Sequence, residues 1–152
     1  MSKLTIGEQA PDFKLIGLDL KPISKSDYSG KHVIVLFFPL AFTSGCTTEM
    51  CTMRDNFDVY AQLNAEILGI SVDSPFVLRK FKEENEINFA LGSDFGREAS
   101  KAYDTLFTDD FMGLTEFSKR SAFVINPNGV LTYKEMIGQS NLPDFEKMNA
   151  VL

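Results

Sequence analysis

Histidine, cysteine and tryptophan are scarce in this chain. Its 152 residues include two cysteines, one histidine and no tryptophan. Two cysteines and one distant histidine do not complete a closed zinc site, so we expect no metal and no other cofactor. The single histidine, His32, lies beside Lys31 just before an apolar run, and we interpret it as a surface residue rather than a catalytic base.

Basic clusters and long apolar stretches are absent as well. The net charge is −6, and no basic run is interleaved with aromatic residues, so neither nucleic acid nor an anionic membrane is expected as a partner. No apolar stretch approaches a membrane span, and residues 1–6, which lead into polar Gly7–Gln9, are too short for the apolar region of a signal peptide. We therefore expect a cytoplasmic location, where two cysteines are more often catalytic or metal-binding than a structural disulfide.

The length of the chain suits one domain with a sizeable hydrophobic core. No repeat, linker or low-complexity stretch interrupts it, so a single domain is predicted over residues 1–152. Two apolar runs, Val33–Phe38 and Ile67–Val72, have the composition of buried strands. The segment between them has helical spacing from about Cys46 to Leu63. Strand, helix and strand in this order predict a βαβ unit with parallel strands.

The remaining segments give weaker patterns. We expect an edge strand at Phe13–Ile16, a returning strand at Pro22–Ile23, a helical turn at Ser24–Tyr28, a helix from Pro75 with a solvated end at Glu83–Glu86, a short strand within Ile87–Leu91, a helix at Arg97–Tyr103, a loop at Thr105–Phe117, a hairpin of Arg120–Ile125 with Val130–Ile137, and a last short helix from Pro143. Pattern alone supports a mixed α/β sandwich.

Both cysteines lie in the segment that follows the first apolar run. Cys46 falls at the predicted start of the helix, just past the carboxyl end of its strand, where sites gather in parallel sheets. The free N–H groups and the dipole of a helix N-terminus favour a thiolate and lower the pKa of its thiol. The alternative is a buried structural cysteine, which is the commoner role of a free cysteine.

The residues around Cys46 carry a family resemblance. Pro39, Thr43 and Cys46 have the spacing Pro-x-x-x-Thr-x-x-Cys, and Glu49 follows. This pattern resembles the peroxiredoxin signature. Three further segments look like peroxiredoxin segments and occur in the expected order: Ala10–Phe13, Ser71–Ser74 and Lys119–Ile125.

Two branches of that family are represented in the pattern. The run Phe37–Thr43 resembles the AhpE-type branch, whereas Cys51, five residues after Cys46, matches the Q-type or bacterioferritin-comigratory branch. The resemblance implies a thioredoxin-like fold with peroxiredoxin additions, in which helices flank a mixed central sheet. It also implies a thiol-dependent peroxidase that reduces hydrogen peroxide and organic hydroperoxides.

The resemblance assigns Cys46 as the peroxidatic cysteine, and chemistry supports this because attack on a peroxide needs a thiolate and stabilisation of the leaving oxygen. Arg120 is the expected cation, since it matches the active-site arginine of the family; a surface arginine is the alternative. Glu49, one helical turn after Cys46, is expected to hold Arg120 in a bidentate pair. Otherwise Glu49 is simply an acid favoured by the helix dipole.

Three further residues complete the expected site. The Thr43 hydroxyl would hydrogen-bond the sulfur and the incoming peroxide, or only cap the helix. Pro39 would shield the thiolate from water, or only end the strand. Backbone N–H groups of Gly45 and Cys46 would complete a cradle for the peroxide, with Gly45 permitting close approach.

Cys51 is the expected resolving cysteine, because a sulfenic acid condenses readily with a thiol. On an intact helix the two Cα atoms would be roughly 8–9 Å apart. A disulfide tolerates up to about 7 Å, so the first helical turns must unwind in each cycle. With no third cysteine and no C-terminal Val-Cys-Pro arm, we expect an intramolecular disulfide and an external, thioredoxin-like reductant. Monomer and homodimer remain open.

Other functions compete with this one. Cys51 could be a core cysteine, leaving a one-cysteine peroxidase that an external thiol resolves. A redox-relay sensor could use the same site. A thiol–disulfide oxidoreductase would instead have Cys-x-x-Cys, and a glutathione-peroxidase-like enzyme a catalytic tryptophan; this chain has neither.

Overall fold

Nine strands and five α-helices are present in the described part of the chain. The computed structural model describes residues 4–137 and 142–152, with the side chains of 44–46 outside the description. The strands are β1 Lys14–Gly17, β2 Pro22–Ser24, β3 His32–Phe37, β4 Ala65–Ser71, β5 Ala90–Ser93, β6 Leu106–Phe107, β7 Phe117–Ser118, β8 Ser121–Ile125 and β9 Leu131–Met136. The helices are α1 Ser44–Asp55, α2 Phe57–Gln62, α3 Pro75–Glu84, α4 Glu98–Ala102 and α5 Phe145–Asn149, with a 3₁₀ turn at Lys25–Tyr28.

Seven of the strands form one mixed sheet in the order β2-β1-β5-β4-β3-β8-β9, and β6 and β7 pair separately. As predicted, β3 and β4 are parallel, in a register from His32 opposite Ala65 to Phe37 opposite Ile70. β5 continues the parallel set beside β4, whereas β8 runs antiparallel to β3. The helix that contains Cys46 therefore connects two central parallel strands.

The central strand β3 is buried because both faces of the sheet are covered. Ile34 and Leu36 belong to a cluster that includes Met50 and Met53 of α1. Val33, Val35 and Phe37 point into a second cluster on the other face, which is built around Tyr103 and Phe123. An uninterrupted apolar run is the pattern expected of a strand covered on both faces.

The predicted helix from Cys46 to Leu63 is two helices. α1 ends at Asp55 and α2 begins at Phe57, with Asn56 between them at φ −105° and ψ 11°. The Asn56 side-chain amide donates to the Thr52 carbonyl at 2.8 Å and so occupies an acceptor of the last turn of α1. Such side-chain competition with backbone hydrogen bonds interrupts helices.

Two other predictions need correction. The strand predicted at Phe13–Ile16 is not an edge strand, because β1 lies between β2 and β5. That neighbour is distant in sequence and leaves no local signal. The predicted loop Thr105–Phe117 contains β6 and the start of β7, held together by the stacked rings of Phe107 and Phe117, whose centroids are 4.7 Å apart.

The other elements agree with the sequence to within a few residues. Pro75 is the first residue of α3, and the Ser74 hydroxyl accepts a hydrogen bond from the Val77 N–H at 3.2 Å. Residues Glu83 and Glu84 at the end of α3 are exposed, as predicted. The last helix begins at Phe145 with Asp144 as its cap, slightly later than predicted. Within the described ranges, no helix is both long and apolar enough to cross a membrane.

Candidate active site

The loop from Phe38 to Thr43 connects β3 to α1 and forms one end of the sheet. Thr43 is the N-cap of α1, with φ −79° and ψ 150°, and its carbonyl accepts the Thr47 N–H at 2.9 Å. Cys46 is consequently the third residue of α1 and Gly45 the second. Backbone N–H groups at these positions have no acceptor within the helix, and the positive end of the helix dipole is located there.

The Thr43 side chain does not cap the helix. Its hydroxyl donates to the Leu40 carbonyl at 2.9 Å, and no side-chain cap hydrogen bond is formed. Thr43 thus occupies the N-cap position through its backbone alone. Of its two predicted roles, the prediction that its hydroxyl caps the helix is wrong. Because the hydroxyl proton is used on Leu40, the oxygen of Thr43 offers lone pairs to a donor.

Glu49 and Arg120 form a buried ion pair. The Arg120 Nη1 donates to the Glu49 Oε1 at 2.9 Å, and the exposed fractions of the two side chains are 3% and 0%. The predicted bidentate geometry is wrong, because Glu49 Oε2 is buried without a hydrogen-bond partner among the described residues. The predicted association of the two residues, 71 positions apart in the chain, is present.

Burial controls the ionisation of Glu49. It raises the pKa of this carboxyl from 4.5 to about 7, and the Arg120 guanidinium opposes the increase only in part. The Glu135 carboxylate on β9 contributes a further upward push. Glu135 is itself held by the Tyr133 hydroxyl at 2.7 Å and the Asp144 N–H at 3.0 Å. Glu49 is therefore a carboxyl that titrates near neutrality.

Arg120 reaches this place because of the strand order. β8 pairs with β3 so that Ser121 is opposite Phe37, the last residue of β3. Arg120 precedes Ser121 and thus lies beside the carboxyl end of β3, where Pro39 follows, half-buried, after Phe38. The predicted site residues between Pro39 and Glu49 all follow the carboxyl end of β3. His32, which is half-buried, lies at the opposite end of that strand.

Cys51 lies farther along α1 and has its own surroundings. It is a free, half-buried cysteine whose Sγ donates weakly to the Asn85 Oδ1 at 3.9 Å. Arg54, one turn later, donates from Nη1 to the Asn85 carbonyl at 2.5 Å. Cys46 and Cys51 are both within the uninterrupted helix α1.

Sequence reasoning missed two residues that contact these elements. Asp73, after β4, accepts the Ala41 N–H at 2.8 Å, and Asn85 contacts Cys51 as described. An acid two residues after a parallel strand was the available signal for Asp73, because such positions border sites in these sheets. No local signal marks Asn85, since its contact with α1 depends on tertiary packing.

Comparison with known proteins places this geometry in a family. Residues 6–134 match the AhpC/TSA family. The chain is 37% identical to peroxiredoxin Bcp of Bacillus subtilis over 133 residues, which is 84% of this chain and 82% of the relative. It is 34% identical to peroxiredoxin Bcp of Escherichia coli over 134 residues, covering 88% and 86%. The crystal structure of peroxidoxin BcpB from Mycobacterium tuberculosis aligns with a TM-score of 0.80 at 26% identity, covering 91% and 90%.

The mixed sheet flanked by helices is the thioredoxin-like fold of peroxiredoxin structures, as predicted. The Bcp relatives make the chain a thiol-dependent peroxidase, also as predicted. The chain belongs to the AhpC/TSA family as a Q-type, or Bcp-like, peroxiredoxin. Peroxiredoxins use peroxide substrates and thioredoxin-type reductants.

Proposed function

We propose that Cys46 is the peroxidatic residue and that Glu49 and Arg120 serve it. The observation that carries the proposal is the buried Glu49–Arg120 pair, anchored one helical turn after Cys46 and beside the helix N-terminus. Residues three apart on a helix share a face, so this pair brings a cation to the turn of the helix that contains Cys46. A cation and a helix N-terminus both favour a thiolate.

The chemistry proceeds in two steps. The Cys46 thiolate attacks one peroxide oxygen, an S–O bond forms as the O–O bond breaks, and the other oxygen leaves as hydroxide or alkoxide and takes up a proton. Sulfur is oxidised to a sulfenic acid and the peroxide is reduced to water or alcohol. The Cys51 thiol then attacks the sulfenic sulfur, forming a disulfide and releasing water.

Thr43 has a defined polarity in this scheme. Because its hydroxyl donates to the Leu40 carbonyl, its oxygen is the acceptor for the O–H of a bound hydroperoxide. The N–H groups of Gly45 and Cys46 would donate to the peroxide oxygens, where charge develops. Pro39, half-buried at the end of β3, would limit the access of water to the thiolate.

Resolution requires a change in α1. Both cysteines lie in the same helix, which separates their Cα atoms by roughly 8–9 Å. Cys51 must also leave Asn85, to which it is only weakly bonded. We propose that the first turns unwind, the disulfide forms within one chain, and a thioredoxin-like dithiol reduces it. Because such dithiols keep thiols reduced in the cytoplasm, we propose that the protein acts in that compartment.

The test is peroxide consumption coupled to thioredoxin, thioredoxin reductase and NADPH, for the wild type, Cys46→Ser and Cys51→Ser. We expect Cys46→Ser to abolish turnover and Cys51→Ser nearly to abolish it. Turnover lost only in Cys46→Ser would leave a one-cysteine peroxidase, with Cys51 as a core residue. Turnover that survives Cys46→Ser would overturn the catalytic assignment.

A further inference from the structure

One carboxylate outside the predicted set is bonded to the loop that leads into α1. The Asp73 Oδ2 accepts the Ala41 backbone N–H at 2.8 Å, across a sequence separation of 32 residues. Asp73 follows β4, the parallel neighbour of β3, so the contact joins the carboxyl ends of the two central strands. A carboxylate that accepts a backbone N–H makes a stronger hydrogen bond than a neutral acceptor.

The loop needs such a contact because its backbone is strained. Phe42, next to Ala41, has φ +69°, in the left-handed region that non-glycine residues rarely adopt. Phe42 is 48% exposed, and its ring packs edge-on against that of Phe81 of α3, with centroids 5.3 Å apart. Thr43 follows at once, so the conformation of Phe42 decides where the Thr43 hydroxyl is placed.

Asp73 is itself fixed from several sides. The Ser71 hydroxyl donates to the same Oδ2 at 2.7 Å and accepts the Asp73 N–H at 3.1 Å. The Ser93 hydroxyl, at the end of β5, donates to the Asp73 carbonyl at 2.6 Å. Ser71 and Ser93 are buried, with exposed fractions of 0% and 1%. A carboxylate locked by its neighbours can impose a geometry on the loop.

We propose that Asp73 is a positioning residue for the peroxide step: through the Ala41 N–H it holds the loop before α1 and thereby sets the Thr43 hydroxyl. The inference rests on the proposed function, because Thr43 acts there on the peroxide. Asp73 touches neither substrate nor sulfur in this scheme. Its loss should therefore slow the attack on peroxide and leave reduction of the disulfide unaffected.

The experiment compares Asp73→Ala, Asp73→Asn and the control Asp58→Ala, which removes an exposed acid on α2. Stopped flow measures the rate constant of the prereduced protein with hydrogen peroxide, and a separate assay measures reduction of the oxidised protein by thioredoxin. We expect Asp73→Ala to slow the peroxide step by about 10- to 100-fold, as for displaced catalytic groups. Thioredoxin-dependent reduction should stay within about twofold, as should both steps in Asp58→Ala.

Asp73→Asn should recover most of the peroxide rate, since its amide oxygen can accept the Ala41 N–H. If Asp73→Ala fails to fold, Ser71→Ala gives the same comparison, because it removes one bond that orients the carboxylate. An unchanged peroxide rate in the folded variants, or equal losses in both half-reactions, overturns the inference. Cys46→Ser is measured in parallel as a control. Peroxide reduction that survives in Cys46→Ser would contradict the proposed function, whereas the outcomes above contradict only the role of Asp73.

Discussion

Glu49 is a buried carboxyl that changes its protonation state near neutral pH in the folded protein. Burial raises its pKa to about 7 in the fold, against 4.5 for an ordinary glutamate, so the folded state holds a proton that the unfolded chain has already lost. Stability from this group therefore decreases as the pH rises from 4.5 to about 7, and is constant beyond that window. Arg120 weakens the effect without reversing it.

The corresponding prediction concerns Glu49→Gln, which keeps the shape of the protonated side chain. The free energy of unfolding of the wild type should fall relative to this variant between pH 5 and pH 7, on the order of 1 kcal/mol or more. Urea denaturation at a series of pH values measures the difference. Glu146→Gln, an exposed glutamate of α5, is the matched control and should show no such slope. A difference that grows in the opposite direction would contradict the raised pKa of Glu49.

We expect the Arg120 guanidinium to lower the pKa of the Cys46 thiol. Arg120→Met removes the buried cation next to the turn that contains Cys46, and we expect the thiolate pKa of Cys46 to rise by about 1 unit or more, the usual effect of a lost opposite charge. Cys51→Ser serves as the background, because it leaves Cys46 as the only thiol. Titration of the ultraviolet thiolate absorbance measures the change. Lys119→Met removes a neighbouring exposed cation and is the control; equal shifts in both variants would remove Arg120 from the proposal.

Helix α1 contains both cysteines, so its stability affects the formation of the disulfide. Its first part contains Cys46, whereas its last part is attached to the C-cap of α3 by the bond from Arg54 to the Asn85 carbonyl, and Asn88 donates to the Arg54 carbonyl at 3.4 Å. Met53, in the last part, packs into the core with no exposed surface, whereas Met50, equally buried, lies in the part that has to open. The two ends of α1 are therefore held by different contacts, and only the first has to open for the disulfide to form.

Amide hydrogen exchange of reduced and oxidised protein tests this division. After stoichiometric peroxide, amides of residues 47–51 should lose protection, because the disulfide cannot form on an intact helix. Amides of Val59 and Tyr60 should keep theirs, because both donate to the Asn56 carbonyl, which lies outside the segment that unwinds. The same treatment of Cys51→Ser supplies the control, since no disulfide can form there. Oxidised protein that contains the Cys46–Cys51 bond and still protects residues 47–51 would refute the unwinding step.

The central sheet has a hydrophobic cluster on each face. We predict that the two clusters unfold together in a single transition. Tyr60 belongs to the cluster on the α1 side and Tyr103 to the cluster on the other face. Both clusters share the strands β3, β4 and β8, so neither can be lost alone. Tyrosine fluorescence and far-ultraviolet circular dichroism should follow the same urea curve, and no tryptophan masks the tyrosine signal. Separate transitions would also contradict the prediction of one domain.

Much of this architecture could be predicted because its signals are local. The apolar run of β3 is continuous, Pro75 and Ser74 mark the start of α3, and the spacing from Pro39 to Cys46 identifies the family. The association of Glu49 with Arg120 came from the family resemblance, since nothing local connects residues so far apart. Its monodentate geometry depends on packing that the sequence does not encode locally.

What could not be predicted depends on single side-chain choices or on distant neighbours. The break at Asn56 results from one side-chain amide that donates to the Thr52 carbonyl. The Thr43 hydroxyl does not cap the helix, because it donates to the Leu40 carbonyl instead. The place of β1 inside the sheet depends on β5, which lies more than seventy residues away in sequence. None of these contacts alters the periodicity of the sequence.

The break at Asn56 has a consequence for the fate of the oxidised enzyme. Because α1 and α2 are separate helices, unwinding that begins near Cys46 meets the irregular residue Asn56 before it reaches α2, whose Tyr60 is buried in the core. Met50 lies in the segment that unwinds, whereas Met53 and Tyr60, both buried, lie beyond it. An enzyme that accumulates in its oxidised form during a burst of peroxide would thus offer proteases and chaperones only the short opened segment of α1, and would survive until its reductant returns.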